Sequence, residues 1–214
     1  MIGYAGNMRI ALVLLLAAGL CPAATFHIFG FSWTVPDAGD WRVDQEAGTP
    51  VLHLLVGKEP PSNAPRRPSQ FAIADTSPYS QVTVEADVKP LGSSLMIVFA
   101  YQDPAHFDYA HLSVDTAAKQ SHHNGVFHVY GGERVRISSP AGPSAFKESN
   151  RWYHVSLHHN GATGTVDVLV DGVPVPALHA VDLSLTSGKV GIGSFDETGE
   201  FKNVKIAGVP ASDL

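Results

Sequence analysis

The strongest constraint on the fold is that apolar and polar residues alternate along most of the chain with a period of two. From Val82 to Val88, the segment VTVEADV alternates without interruption. The segment 151–172, RWYHVSLHHNGATGTVDVLVDG, repeats the pattern in two runs on either side of a glycine-rich turn. Because successive side chains of a strand point to opposite faces, such runs predict half-buried strands. No convincing helical period follows residue 24, so the sequence predicts an all-β sandwich of two antiparallel sheets with roughly eight to fourteen strands.

The composition fits one domain of this kind. The chain has 214 residues, of which 44% are hydrophobic and 16% are charged. These proportions are typical of a globular protein rather than a disordered one. The 20 glycines and 15 prolines suit a fold with many turns. The longest irregular segment, GKEPPSNAPRRPSQ at 57–70, is predicted to be a surface loop inside the domain. We therefore expect a single jelly-roll domain over residues 25–214.

The N-terminal segment has the pattern of a secretory signal peptide. One arginine, Arg9, precedes an 11-residue apolar run from Ile10 to Leu20, and small residues follow. Eleven residues are too few to span a bilayer, so no membrane span is expected. Residues 1–24 are predicted to be the signal peptide, with export to the periplasm or the extracellular space. The bulky Leu20 before Cys21, the single cysteine, disfavours a lipid anchor at that position.

The charge of the chain excludes one class of partner. The formal net charge is -6 and the isoelectric point is near 5.9. Nucleic-acid binding requires a basic surface that neutralises phosphates. Because the longest basic run is Arg66–Arg67, no nucleic-acid partner is expected.

The C-terminal half resembles a known superfamily. The order of a WYHV strand, a glycine-rich turn, a VDVLVDG strand and the closing GKVGIGSFDETGEFKNVKI is similar to that of concanavalin A-like jelly rolls, which include laminin G-like domains. Within that group, the pattern resembles the bacterial secreted 3-keto-disaccharide hydrolase-like domains. The resemblance covers about Trp41 to Gly208. It implies a two-sheet jelly roll and a carbohydrate ligand, but the fold hosts lectins, adhesion modules and glycan-cleaving enzymes alike.

The strand that contains Glu85 shows part of a catalytic motif. Retaining glucanases of this superfamily carry E-x-D-x-x-E on one strand, because alternate residues face the sugar together. Here Glu85 and Asp87 match, but Pro90 stands at the position of the second glutamate. Two-carboxylate chemistry is therefore not expected. Glu85, together with His111 and His154 as general acid or base, remains the catalytic hypothesis.

Polar and aromatic residues on three predicted strands suggest a sugar site. Sugar rings pack on aromatic rings, and their hydroxyls need fixed donors and acceptors. The residues predicted to contact the ligand are Tyr101, Asp103, Tyr109, His111, His123, Asn124, Arg134, Arg136 and His154. If their strands are neighbours, His111, Arg136 and His154 converge on one groove. The alternative is that these histidines are simply solvated.

A metal site is a further hypothesis. No H-E-x-x-H motif and no H-x-H with a fitting third ligand occurs, which argues against a zinc enzyme. Calcium takes oxygen ligands from loops, and Asp40, Asp44 and Asp196 could supply carboxylates if the terminal strands lie side by side. A structural calcium ion is therefore a possible cofactor.

The sequence thus predicts an exported jelly roll that engages an oligo- or polysaccharide. A glycoside hydrolase of the 3-keto-disaccharide hydrolase-like type, a non-catalytic glycan-binding module and a laminin G-like protein-adhesion module all remain open at this point.

Overall fold

The computed structural model describes residues 24–212. The predicted signal peptide and Cys21 lie outside the described residues, except for Ala24, which begins the first strand. No helix in residues 24–212 is long and apolar enough to cross a bilayer.

The regular secondary structure of the described residues is almost entirely strand. Two three-residue 3-10 turns, Ala38–Asp40 and Pro176–Leu178, account for its helix. The strands, in chain order, are β1 (Ala24–Ile28), β2 (Phe31–Val35), β3 (Trp41–Glu46), β4 (Thr49–Leu54), β5 (Gln70–Ala74), β6 (Tyr79–Pro90), β7 (Ser94–Asp103), β8 (His106–Ser113), β9 (Gly125–Tyr130), β10 (Val135–Arg136), β11 (Tyr153–Asn160), β12 (Thr165–Val170), β13 (Val173–Pro174), β14 (Ala180–Val181), β15 (Lys189–Ser194) and β16 (Gly199–Pro210).

The strands form two antiparallel eight-stranded sheets packed face to face. Sheet A has the order β1-β2-β5-β15-β7-β8-β9-β10. Sheet B has the order β13-β12-β11-β6-β16-β4-β3, and β14 also pairs with β12. This confirms the predicted two-sheet sandwich. The strand count exceeds the expected range because three pieces, β10, β13 and β14, have only two residues each.

The core between the sheets follows the predicted alternation. In β11, Tyr153, Val155 and Leu157 are buried and point toward sheet A, whereas His154 and His158 are exposed. The partner strand β6 pairs with β11 in register and buries its valines in the same way. One continuous cluster of apolar side chains joins both sheets, so burial of this shared surface drives the packing.

Sheet A is also apolar on its outward side. The strand β7 was predicted to be apolar on both faces, and its first seven residues are all buried. A second cluster, here called the outer cluster, lies on this outward side and consists of Phe71, Ile73, Met96, Val98, Phe107, Tyr109, Phe127 and Val129. The predicted loop runs along the same side, since the Arg66 carbonyl accepts a hydrogen bond from the Arg134 amide at 3.2 Å. Loops therefore cover much of a sheet face that would otherwise be open to solvent.

Candidate binding groove

A groove of about 660 Å³ lies between the proline-rich loop and the outward side of sheet A. Its floor includes Phe71 and Ile73 of β5 and Tyr101 of β7, and Lys189 of β15 lies at its margin. Most of its surface is apolar, and six prolines contribute: Pro36, Pro60, Pro61, Pro65, Pro68 and Pro104. Concave sites with an apolar lining and a few polar groups are typical ligand sites.

A β-bulge turns Tyr101 toward this groove. Regular alternation would place Tyr101 on the inward side with Phe99, but the backbone of Ala100 has φ 47°. The register with β15 shifts at this point, since Lys189 pairs with Tyr101 and Gly191 pairs with Val98. The extra residue reverses the direction of the tyrosine, as bulges commonly do near binding sites. The Tyr101 ring consequently packs edge-on against Phe71, with 5.8 Å between ring centroids.

The bulge depends on a glycine in the neighbouring strand segment. A Cβ at Gly188 would lie 2.2 Å from the Ala100 carbonyl carbon and 2.4 Å from the Tyr101 amide nitrogen. Only a residue without a side chain lets the two backbones approach this closely. The GKVGIG segment therefore sets the position of Tyr101 through its first glycine.

Buried polar contacts hold the base of the proline-rich loop. The Gln70 side chain accepts a hydrogen bond from the Lys58 amide at 3.0 Å and donates to the Val56 carbonyl. The Lys58 ammonium lies 2.6 Å from a carboxylate oxygen of Asp40. These contacts fix the loop where it leaves sheet B, so the wall of the groove is anchored at its start.

Polar groups occur at the rim of the groove. Lys189 forms a salt bridge of 3.0 Å with Asp75, and the Gln102 amide donates to the Ser187 carbonyl at 3.3 Å. The Arg67 Nη1 atom is buried and has no hydrogen-bond partner within the protein. The rim therefore offers donors and acceptors next to an apolar, partly aromatic floor.

The rest of the outward side of sheet A is filled by its own side chains. Tyr109 stacks on Phe127 with 5.4 Å between ring centroids, and burial raises the pKa of Tyr109 to about 12. The Arg134 guanidinium donates to the Tyr109 hydroxyl at 3.1 Å and lies 4.0 Å above the Phe195 ring. The predicted aromatic and cationic residues do meet on one face, but here they contact each other.

His111 lies inside this filled region. Its side chain is almost completely buried, with Nδ1 2.9 Å from the His122 carbonyl and Nε2 2.9 Å from the Ser94 hydroxyl. Burial, followed by the nearby His123, lowers the pKa of His111 to about 3. Both ring nitrogens are engaged within the protein, which leaves the predicted catalytic role without structural support.

Three other predicted ligand residues also support loops. The buried Asn124 side chain donates to the Pro143 carbonyl at 2.9 Å and accepts from the Ala145 amide at 2.8 Å. Arg136 donates to the carbonyls of Ser121, His123 and Asn124. His123 contacts the Ser113 hydroxyl at 3.1 Å.

The structure does not bring His154 to the other predicted site residues. His111 and Arg136 belong to sheet A, whereas His154 lies on the outward face of sheet B. Its Nδ1 is 2.8 Å from an Asp87 oxygen, and Glu85 lies on the same face of β6. The expected convergence of His111, Arg136 and His154 on one groove is therefore wrong, because their strands belong to different sheets.

The remaining predicted residues lie apart from the groove floor. Asp103 accepts a hydrogen bond from the Ala105 amide at 2.7 Å and closes the turn between β7 and β8. Asp40 pairs with Lys58, and Asp44 is exposed on β3. Asp196 lies in the turn between β15 and β16, where burial raises its pKa. Within residues 24–212, these three aspartates do not form a cluster with converging oxygens.

Sequence reasoning missed Phe71, Arg67 and the prolines of the groove. The sequence predicts only that the proline-rich segment is a loop, and its two arginines and four prolines are the signal that it could form the wall of a site. Its position over the outward side of sheet A depends on contacts with residues distant in sequence.

Comparison with solved structures agrees with this architecture. No protein-family model and no curated protein matches the chain. The carbohydrate-binding module CBM66 from Bacillus subtilis superposes with a TM-score of 0.55 at 16% identity, over 78% of this chain and 94% of that one. A candidate glycosyl hydrolase from Parabacteroides distasonis gives a TM-score of 0.55 at 15% identity, over 81% and 92%.

Likenesses at this level of identity show the fold. The finer resemblance to 3-keto-disaccharide hydrolase-like domains stays a prediction. The strand order, the two packed antiparallel sheets and these neighbours show that the chain has the fold predicted from its sequence, a two-sheet jelly-roll sandwich.

Proposed function

We propose that this chain is an exported, non-catalytic carbohydrate-binding module that holds an oligo- or polysaccharide in the groove beside the proline-rich loop. The observation that carries the proposal is the Tyr101 ring, which the bulge at Ala100 turns onto the groove floor between apolar walls and polar rim groups. The two structural neighbours, a carbohydrate-binding module and a candidate glycosyl hydrolase, support a carbohydrate ligand.

The chemistry of the groove suits a sugar. The C–H faces of a pyranose or furanose ring are apolar and pack on tyrosine, while the hydroxyls require hydrogen-bond partners. Tyr101 is only partly buried, so part of its side chain remains accessible to a ligand. Arg67, Gln102 and the Asp75–Lys189 pair supply donors and acceptors at the rim.

The same groove does not favour hydrolysis. Glycoside cleavage generally needs two carboxyl groups on either side of the scissile bond. Among the described residues that line the groove, Asp75 is the only acid, and Lys189 neutralises it. Binding without cleavage is therefore the activity that this arrangement supports best.

Binding is tested on a glycan array with residues 25–214, followed by titration of the best glycan. We expect the Tyr101→Ala variant to bind about tenfold more weakly or worse, because burying a large side chain against a ligand is worth roughly 1.5–3 kcal/mol. The matched control is Tyr130→Ala, which removes an exposed tyrosine from β9 of the same sheet.

Two results would contradict the proposal. Equal affinity of the Tyr101→Ala variant and the wild type would show that the ligand does not use the groove. No binding to any glycan, together with capture of a specific protein, would favour the laminin G-like adhesion function instead.

Glycoside cleavage is the second candidate, and one observation about sheet B favours it. A pocket of about 470 Å³ on the outward face of sheet B is lined by Asp87 and His154, whose side chains are 2.8 Å apart. Glu85 lies two residues from Asp87 on the same face. A carboxylate beside an imidazole can move protons at a glycosidic oxygen.

Product analysis after incubation with bound glycans tests this candidate. If cleavage occurs there, His154→Ala and Glu85→Gln should each lower the rate by roughly 10²-fold or more, the effect of losing a general acid or base. His179→Ala is the control, since His179 pairs with Asp167 at 2.7 Å and is exposed as well. Absence of products from the wild type, or unchanged rates in both variants, would exclude cleavage at this face.

Export is the remaining part of the proposal, and the N-terminal sequence supports it. Mass spectrometry of protein from the producing cells should find a mature chain that begins near Ala24 or Thr25. A cell-associated chain that retains its first 23 residues would contradict it.

A further inference from the structure

Three side chains of types that can bind a metal meet between sheet A and the segment that follows β14, away from the groove. Asp108 of β8 and His128 of β9 are direct partners across sheet A. Asp182 comes from the segment after β14, and its amide donates to the Gly164 carbonyl at 2.9 Å, next to β12 of sheet B. One possible ligand atom from each residue lies within 4.8 Å of the other two.

Burial makes this cluster unusual. The exposed fractions of the side chains are 2% for Asp108, 14% for His128 and 19% for Asp182. Carboxylates are almost never buried in this way unless they are paired or bind a metal. The pKa of Asp108 is raised by burial and, to a smaller degree, by the charge of Asp182.

One carboxylate oxygen in the cluster lacks a hydrogen bond. Asp182 Oδ1 accepts from both the amide and the hydroxyl of Ser184, at 3.1 and 2.7 Å, which fixes the orientation of the carboxylate. Asp182 Oδ2 is buried without a hydrogen-bond partner and lies 3.4 Å from His128 Nδ1. That separation is close to the spacing of about 3.3 Å between two ligands of a tetrahedral zinc ion with bonds of about 2.0 Å.

We propose that Asp108, His128 and Asp182 bind a divalent transition metal ion, with zinc as the best match, and that this ion ties sheet A to the segment that follows β14 in sheet B. One imidazole and two carboxylates are a ligand set suited to zinc, whereas calcium prefers oxygen ligands only. The distance between Asp108 Oδ1 and His128 Nδ1 is 2.6 Å and has to widen toward the ligand spacing of a zinc ion when the ion enters. The site differs from the predicted calcium ligands and is independent of the groove.

The competing state is an ion pair without metal. Hydrogen bonding to Asp108 raises the pKa of His128, so a protonated imidazole could lie between the two carboxylates. It would neutralise only one of the two negative charges. Zinc would displace the proton and neutralise the charges of both carboxylates. A metal site therefore responds to added zinc, whereas a stable ion pair does not.

The test uses residues 25–214 purified without a polyhistidine tag and stripped of metal by a chelating resin. Isothermal titration calorimetry with zinc should give a stoichiometry of one ion per chain. Thermal unfolding at zinc 100-fold above the dissociation constant should shift upward by about 5 °C or more. Calcium should produce no such shift.

Matched variants localise the effect. Asp182→Asn should lose the zinc-dependent shift, and Ser184→Ala, which frees the carboxylate to rotate, should weaken zinc binding about tenfold or more. Asp167→Asn removes an exposed aspartate that also pairs with a histidine, and it should respond like the wild type. If circular dichroism shows that Asp182→Asn does not fold, zinc binding by the milder Ser184→Ala variant tests the proposal.

The proposal is overturned if the wild type shows no zinc response, which leaves the ion pair as the full description. It is also overturned if zinc shifts both variants as much as the wild type. A calcium shift that Asp182→Asn abolishes would overturn the choice of a transition metal.

Discussion

His159 shows how one imidazole can be buried on a strand that exposes its other histidines. The side chains of His154 and His158 point outward, and His159 points into the core with 4% of its surface exposed. Its ring lies 5.0 Å from that of Phe99, and Nδ1 has no partner. Burial lowers the pKa of His159 to about 4, so the ring stays neutral in the folded protein at neutral pH.

This shift makes stability depend on pH in a definite direction. Unfolded His159 takes up a proton near pH 6.5, whereas the folded form resists protonation down to about pH 4. The stability that depends on a neutral His159 ring is therefore fully present above pH 6.5. It is lost as the pH falls toward 4, because the unfolded chain then binds a proton that the folded chain does not. We expect His159→Phe to reduce the loss of stability between pH 7.5 and pH 5 by about 2 kcal/mol, measured by urea denaturation at both values.

The neighbouring His158 provides the control. It is exposed on the same strand, so His158→Phe makes the same exchange of imidazole for phenyl outside the core. Equal pH dependence in His159→Phe and the wild type would mean that protonation of His159 does not contribute to the loss of stability at low pH.

At the scale of elements, the alternation of apolar and polar residues could not predict the bulge between β7 and β15. Alternation correctly placed the core faces of β6 and β11, since their hydrogen-bond ladder is regular over this stretch. It placed Tyr101 in the ligand set for its chemistry, but the direction of its side chain depends on the single positive φ at Ala100. The backbone conformation of a single residue does not change the alternation of apolar and polar residues in the sequence, so the pattern could not reveal it.

The bulge gives a prediction about Gly188. A methyl group there would meet the Ala100 backbone at 2.2 Å, so Gly188→Ala should lower the free energy of unfolding by about 1–3 kcal/mol and also weaken glycan binding. Urea denaturation and titration with the best array glycan measure the two effects. Gly132→Ala is the matched control, because a Cβ at that position meets nothing within 4 Å. Similar stability and affinity in both variants would show that the backbone just before β15 tolerates a side chain beside Tyr101.

At the scale of the whole molecule, the long pairing of β6 with β16 joins residues far apart in the sequence. This ladder runs from Gly199 opposite Pro90 to Pro210 opposite Tyr79. In sheet A, β1 pairs with β2, β2 with β5, and β5 with β15; in sheet B, β3 pairs with β4, and β4 with β16. Neither sheet is therefore complete until the C-terminal strands are in place.

We accordingly expect one cooperative unfolding transition. In a Trp152→Phe variant, the remaining fluorescence comes from Trp33 in sheet A and Trp41 in sheet B, both buried. Their urea midpoint should coincide with that of the far-ultraviolet circular dichroism signal, as in two-state unfolding. Two separated midpoints would indicate that the sheets unfold independently.

The same topology explains which part of the site was predictable. Four of the predicted ligand residues, Tyr109, His111, Arg134 and Arg136, lie near one another because β8, β9 and β10 are consecutive neighbours. Residue chemistry could not assign His154 to the other sheet, since strand order is set by packing rather than by period. Nor could it show that the grouped residues would be buried by loops that fold back over them.

The prolines of the groove wall have a consequence for how a ligand is selected. Each proline ring fixes one backbone torsion, so the wall loses little further conformational entropy when it is occupied. A wall that is ordered in advance does not widen easily, so the groove should accept an unbranched chain more readily than one with a side branch. Discrimination between linear and branched glycans would then arise from steric exclusion rather than from additional hydrogen bonds.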